Sequence, residues 1–152
     1  MTKSIRAALA LAAVTLVPAA CSEAPEQAQT EPDAPDGISV GNARLMLPAV
    51  KGNPGAVYFD VKNDSDRNMV IRAVSVAGAA NSEMHTKDMQ MVLQTTVAPS
   101  ESTKFEPGGT HVMAMDLADT VVAGGQAEVT LTFVGGDKVS FPAEVRAAGD
   151  DR

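Results

Sequence analysis

The sequence contains no tryptophan, one tyrosine and four phenylalanines in 152 residues. So few rings cannot furnish the stacking platforms on which single-stranded nucleic acids lie. Positive charge is also scarce: 12 Lys and Arg stand against 19 Asp and Glu, a formal net charge of −7. That balance excludes nucleic acid as a partner, because binding a polyanion needs a basic face that releases counterions. A single cysteine, Cys21, cannot make an intrachain disulfide, nor a zinc or iron–sulfur centre built from several thiolates. No nucleophile elbow or other catalytic motif is present, so no enzyme activity is expected. What remains is one small acidic domain, with 45% hydrophobic and 20% charged residues, a composition that folds and stays in solution.

Residues 1–20 read as a secretory signal. Lys3 and Arg6 precede an apolar run from Ala7 to Val17, which ends in Pro18-Ala19-Ala20. The run is short for a membrane span. Cys21 follows at once, and small residues before such a cysteine resemble the lipobox of bacterial lipoproteins, where the thiol is acylated and becomes the new N-terminus. Pro18 departs from the aliphatic residue usual in that motif, and ordinary signal cleavage nearby is the alternative. Either route exports the chain, and lipidation at Cys21 would also anchor it to a membrane. Losing residues 1–20 removes two positive charges and no negative ones, taking the formal charge from −7 to −9. Residues 21–37 follow as a flexible acidic linker: Ser22–Gly37 holds three prolines, five acidic residues and no Lys or Arg.

Beyond the linker the pattern is that of short strands. Val57, Phe59 and Val61 alternate with Tyr58, Asp60 and Lys62, and Val129, Leu131 and Phe133 alternate with threonines. Gly135-Gly136-Asp137 predicts a hairpin into Lys138–Val145. Further strands are expected at Ala43–Leu47, Met69–Val76, Met89–Val97, Thr103–Phe105 and Thr110–Leu117. Seven or eight strands with turns at short intervals predict an all-β Greek-key β-sandwich over residues 38–147, with 148–152 as a short tail.

The only two histidines lie beside methionines, in Met84-His85…Met89-Gln90-Met91 and His111-Val112-Met113-Ala114-Met115. Five of the eight methionines fall in this short stretch. Residues two apart on a strand share a face, so His111, Met113 and Met115 should point together. A tight reversal at Thr86-Lys87-Asp88 would set His85 opposite Met89. Imidazole nitrogen with thioether sulfur is a soft, uncharged donor set that favours Cu(I) and suits Mg, Ca or Mn poorly, while zinc seldom draws on methionine. Thioethers also form no disulfides in an oxidising compartment, although they oxidise to sulfoxide. The competing reading is a core filled with methionine and two structural histidines. A blue-copper electron carrier is excluded, because it needs a cysteine thiolate and Cys21 stands far off behind the linker.

These residues resemble the periplasmic copper chaperone family PCu(A)C, whose signature is His, ten residues, Met, twenty-one residues, His, one residue, Met. Here 21 residues separate Met89 from His111, and His111-Val112-Met113 supplies the final element. Pro107-Gly108-Gly109-Thr110-His111 matches the family's approach to its second histidine. Pro48-Ala49-Val50-Lys51-Gly52-Asn53-Pro54-Gly55, leading into Val57-Tyr58-Phe59, and the late strand Leu131-Thr132-Phe133 match as well. One departure stands out: only three residues separate His85 from Met89. Aligned instead on the Met-x-Met pair, Met91 replaces Met89 and the later interval is two residues short. The resemblance implies a cupredoxin-like sandwich holding Cu(I) through His85, Met89, His111 and Met113, with Met91 as the alternate to Met89. It implies delivery to the copper site of cytochrome c oxidase or to its assembly factors. Together with the lipobox reading, the expected protein is a monomer that faces the periplasm and is held to the membrane through Cys21. A second copper site in a His- and Met-rich tail is not expected, since the chain ends Ala147-Ala148-Gly149-Asp150-Asp151-Arg152. The alternatives are a copper-buffering or resistance protein without a dedicated acceptor, and a structural sandwich lipoprotein.

Overall fold

Alternation of apolar and polar side chains builds the central strands, each burying one face. The computed structural model describes residues 34–150, so the expected signal sequence, Cys21 and the expected linker up to Asp33 lie outside the described residues. Ten strands follow in order: β1 (Ile38–Met46), β2 (Gly55–Asn63), β3 (Met69–Val76), β4 (Asn81–His85), β5 (Met91–Val92), β6 (Thr95–Val97), β7 (Ser102–Phe105), β8 (His111–Met115), β9 (Gln126–Phe133) and β10 (Lys138–Arg146). They join in the order β5-β4-β8-β2-β1-β10-β9-β3-β6, with β7 paired to β2 beyond the end of β8. Every pairing is antiparallel except β1 with β10, which run parallel and set the last strand beside the first. The sheet curls until β3 packs near β4 and closes an all-β sandwich.

Within it Phe59, Phe105, Phe133, Leu45, Ile71 and Leu131 are fully buried. Phe59 stacks on Phe105 at 4.3 Å between ring centres and meets Phe141 at 5.3 Å. The strand count exceeds the expected seven or eight for two reasons. Leu93 is exposed and divides the expected Met89–Val97 strand into β5 and β6. Strand β4 buries only Met84, so it lacks the alternation that would announce it.

One polar side chain is fully enclosed among the described residues. Asn63, the last residue of β2, donates through Nδ2 to the carbonyls of Arg67 at 2.8 Å, Val97 at 3.0 Å and Ala98 at 3.2 Å. Its Oδ1 accepts from the backbone N–H and the hydroxyl of Ser65, at 3.0 and 2.6 Å. The residues before β1 are fastened at the same end: Pro35 is buried, and the Asp64 N–H donates to the Gly37 carbonyl at 2.7 Å.

Candidate metal centre

Strand alternation decides which side chains reach the outer face of the β4–β8 pair. On β8, Val112 and Ala114 are fully buried, which turns His111, Met113 and Met115 outward, where they are half-buried. On β4, Met84 is buried, which turns Glu83 and His85 outward. The register sets His85 directly opposite His111 and Glu83 opposite Met113. On the other edge of β4, His85 lies opposite Met91 of β5. Met91, His85 and His111 therefore form one row across three strands, with Met113 two residues along from His111 on the same face.

The two imidazoles are 6.3 Å apart between ring centres and inclined by 29°. Rings bound through nitrogen at about 2.0–2.1 Å to one ion can have their centres up to about 6.5 Å apart, so the observed spacing permits a shared ion. The turn before β8 prepares His111. Pro107 and Gly108 occupy the middle of a type II turn, in which Gly108 takes φ 75° and the Gly109 N–H donates to the Glu106 carbonyl at 3.0 Å. That turn places the Gly109 carbonyl 3.1 Å from His111 Nδ1. A carbonyl only accepts, so Nδ1 carries the hydrogen and Nε2 keeps a lone pair for a metal. His85 Nδ1 faces the Met89 carbonyl at 3.3 Å, and its Nε2 faces Glu83 Oε2 at 3.1 Å. Glu83 is steadied in turn by Asn81, whose Nδ2 donates to Oε1 at 2.9 Å. Among the described residues no three His, Cys, Asp or Glu side chains gather as a metal site, and the other donors on this face are the thioethers of Met91 and Met113.

The expected juxtaposition of His85 with Met89 is not what the hairpin builds. The Thr86 N–H donates to the Gln90 carbonyl at 2.9 Å, and the Met89 N–H donates to the Thr86 carbonyl at 3.0 Å. Lys87-Asp88-Met89 is therefore a three-residue loop, a turn followed by a left-handed residue, and Met89 takes φ 61°. The left-handed residue is out of step with the strand, so the next methionine, Met91, becomes the partner of His85. Glycine is the natural occupant of such a position, and a side chain there costs roughly 1–2 kcal/mol. Met89→Gly should accordingly raise unfolding free energy by about 1 kcal/mol, measured by urea denaturation.

Sequence reasoning overlooked three neighbours. Glu83 was findable, because it lies two residues before His85 on what had to be the same strand face. Tyr58 lies with its ring centre 6.5 Å from that of His111, and the Arg44 guanidinium sits 5.0 Å from the Tyr58 ring centre. Those two arrive from β2 and β1, and no short-range signal links them to the histidines.

Residues 38–145 match the family model described as "Putative lipoprotein LpqE-like". The chain is 31% identical over 147 residues to "Putative lipoprotein Lxx21020" of Leifsonia xyli subsp. xyli (strain CTCB07), a match covering 90% of this chain and 87% of that protein. Among solved structures it is similar to the copper-bound PCuAC domain from PmoF2, with 25% identity and a TM-score of 0.65 over 73% of this chain and 93% of that one. It also shares the fold of CuI-DR1885 from Deinococcus radiodurans, with 22% identity and a TM-score of 0.63 over 82% of this chain and 85% of that one.

Proposed function

The chain belongs to the LpqE-like family, with the fold of PCuAC domains, and from that premise we propose that it is a chaperone for Cu(I). The reading rests above all on the direct pairing of His85 with His111 at 6.3 Å between ring centres, with Met91 beside one and Met113 beside the other. The ion is cargo, held by two imidazoles and the thioethers of Met91 and Met113, with His85 Nε2 giving up its contact with the Glu83 carboxylate to take the metal. Register favours Met91 over Met89 as the third ligand.

Two neutral nitrogens and two neutral sulfurs leave the complex a monocation, and the soft sulfurs select Cu(I) over hard divalent ions. An acceptor bearing thiolates can displace the thioethers one at a time, beginning with the exposed Met91, so the ion need never be released into water. The acceptor is the copper site of cytochrome c oxidase or one of its assembly factors. The chain is exported to the periplasmic side of the membrane and anchored there by acylation of Cys21, and it binds its cargo without catalysing a reaction.

Anaerobic titration of the purified domain against a colorimetric Cu(I) chelator tests the binding. The expected result is one ion retained per chain, and a domain that yields all its copper to the chelator from the first addition would overturn the proposal. Deleting the protein at limiting copper should lower oxidase activity, and intact oxidase assembly in that strain would remove the delivery role.

A further inference from the structure

Met89 is costly where it stands. It occupies the left-handed position of the β4–β5 loop with φ 61°, a place that suits glycine. Packing does not account for it, since the residue is 55% exposed. Its main chain is bound to the site, because the Met89 carbonyl lies 3.3 Å from His85 Nδ1. Its side chain stands out of register with His85, two residues before Met91, which is itself 57% exposed. A soft donor is thus kept on the exposed loop whose backbone touches His85, at the expense of backbone comfort, and such outliers gather where a segment has work beyond folding.

Building on the Cu(I) reading above, we infer that Met89 is a hand-off ligand, whose thioether takes the ion transiently as it enters or leaves the His/Met centre. Exchange at Cu(I) is easiest when the incoming donor binds before the outgoing one departs. In the step, a lone pair of Met89 Sδ forms a copper–sulfur bond while the bond to Met91 Sδ breaks. Copper stays monovalent throughout, and no electron or proton moves. An acceptor donor then replaces Met89 at the exposed hairpin tip, where the Lys87–Asp88 ion pair of 3.0 Å leaves no net charge to repel it.

Met89→Gly tests this cleanly, since glycine suits the turn and removes the sulfur. Met89→Leu keeps the bulk and the apolar character without the sulfur. Both variants, loaded with one Cu(I), are mixed anaerobically with excess bicinchoninate in a stopped-flow instrument, and equilibrium affinity is measured in parallel. The expected result is affinity within about two-fold of the parent and transfer slowed by about ten-fold in both variants, a barrier change of about 1.4 kcal/mol. Unchanged transfer rates overturn the inference and leave the chaperone reading standing. So does slowing in Met89→Gly alone, which would assign the effect to bulk, or an affinity loss beyond ten-fold, which would make Met89 a resident ligand. A parent protein that retains no Cu(I) at all removes the underlying reading instead.

Discussion

Replacing His111 with alanine should lower Cu(I) affinity by more than about 100-fold while the domain stays folded. Loss of a group that merely orients a metal ligand already costs 10–100-fold in affinity, and here the ligand itself is removed. The sequence holds no third histidine to make good the loss, and a thioether or water is a weaker donor than imidazole. The fold should survive, since His111 lies on the outer face of β8 and the core is closed beneath it by Val112 and Ala114. Met91→Leu and Met113→Leu should each weaken binding less, because a thioether is the weaker donor and water or Met115 can take its place. Anaerobic competition titrations of the three variants, paired with thermal unfolding, provide the measurement. Affinity within a few-fold of the parent in His111→Ala would mean that the paired rings are not the binding site.

The second large effect concerns Asn63. Asn63→Ala strips the donor from the carbonyls of Arg67, Val97 and Ala98 and the acceptor from Ser65, all in one step. Each buried group left without a partner costs about 1–3 kcal/mol. Water can enter at the part-buried edge of the cluster, so a total loss of about 3 kcal/mol is expected, read as a lowered urea midpoint with an unchanged slope. Asn63→Asp should be at least as damaging despite its nearly identical shape, because a carboxylate oxygen would then face three carbonyl oxygens. Burial against those carbonyls would raise the carboxyl's folded-state pKa above its unfolded value. Protonation is thus favoured in the folded state, and the deficit of the aspartate variant should shrink as pH falls through the folded-state value. Equal stability of Asn63→Asp at acid and neutral pH would show that the cluster does not depend on the donor.

Much of this architecture was legible from one dimension because it follows period two. Val57, Phe59 and Val61 are all buried as their alternation required, and so are Val129, Leu131 and Phe133. The strand expected at Met69–Val76 has those same bounds, and the glycine pair after β9 takes φ 109° and 104° at the hairpin. The histidines and methionines were visible as a cluster for the same reason. What escaped was whatever depends on a single residue's handedness or on distant pairing. One left-handed residue changed which methionine meets His85, and methionine does not advertise that conformation as glycine would. Strand β4, with one buried residue, gave no periodic signal, so only the two-residue spacing from His85 pointed to Glu83. The arrival of Tyr58 beside His111, with Arg44 over the Tyr58 ring, depends on residues more than fifty positions away from His111 in sequence.

The lone parallel pairing, between β1 and β10, determines how the domain meets mechanical load. These strands enter at one end and leave at the other, and they are joined through Arg44–Met46 against Glu144–Arg146 and the Leu47 N–H to the Arg146 carbonyl at 2.9 Å. Tension applied between the start of β1 and the end of β10 shears this row of bonds all at once, where an antiparallel pair of terminal strands would unzip one bond after another. A domain stretched between its two ends therefore resists as a clamp.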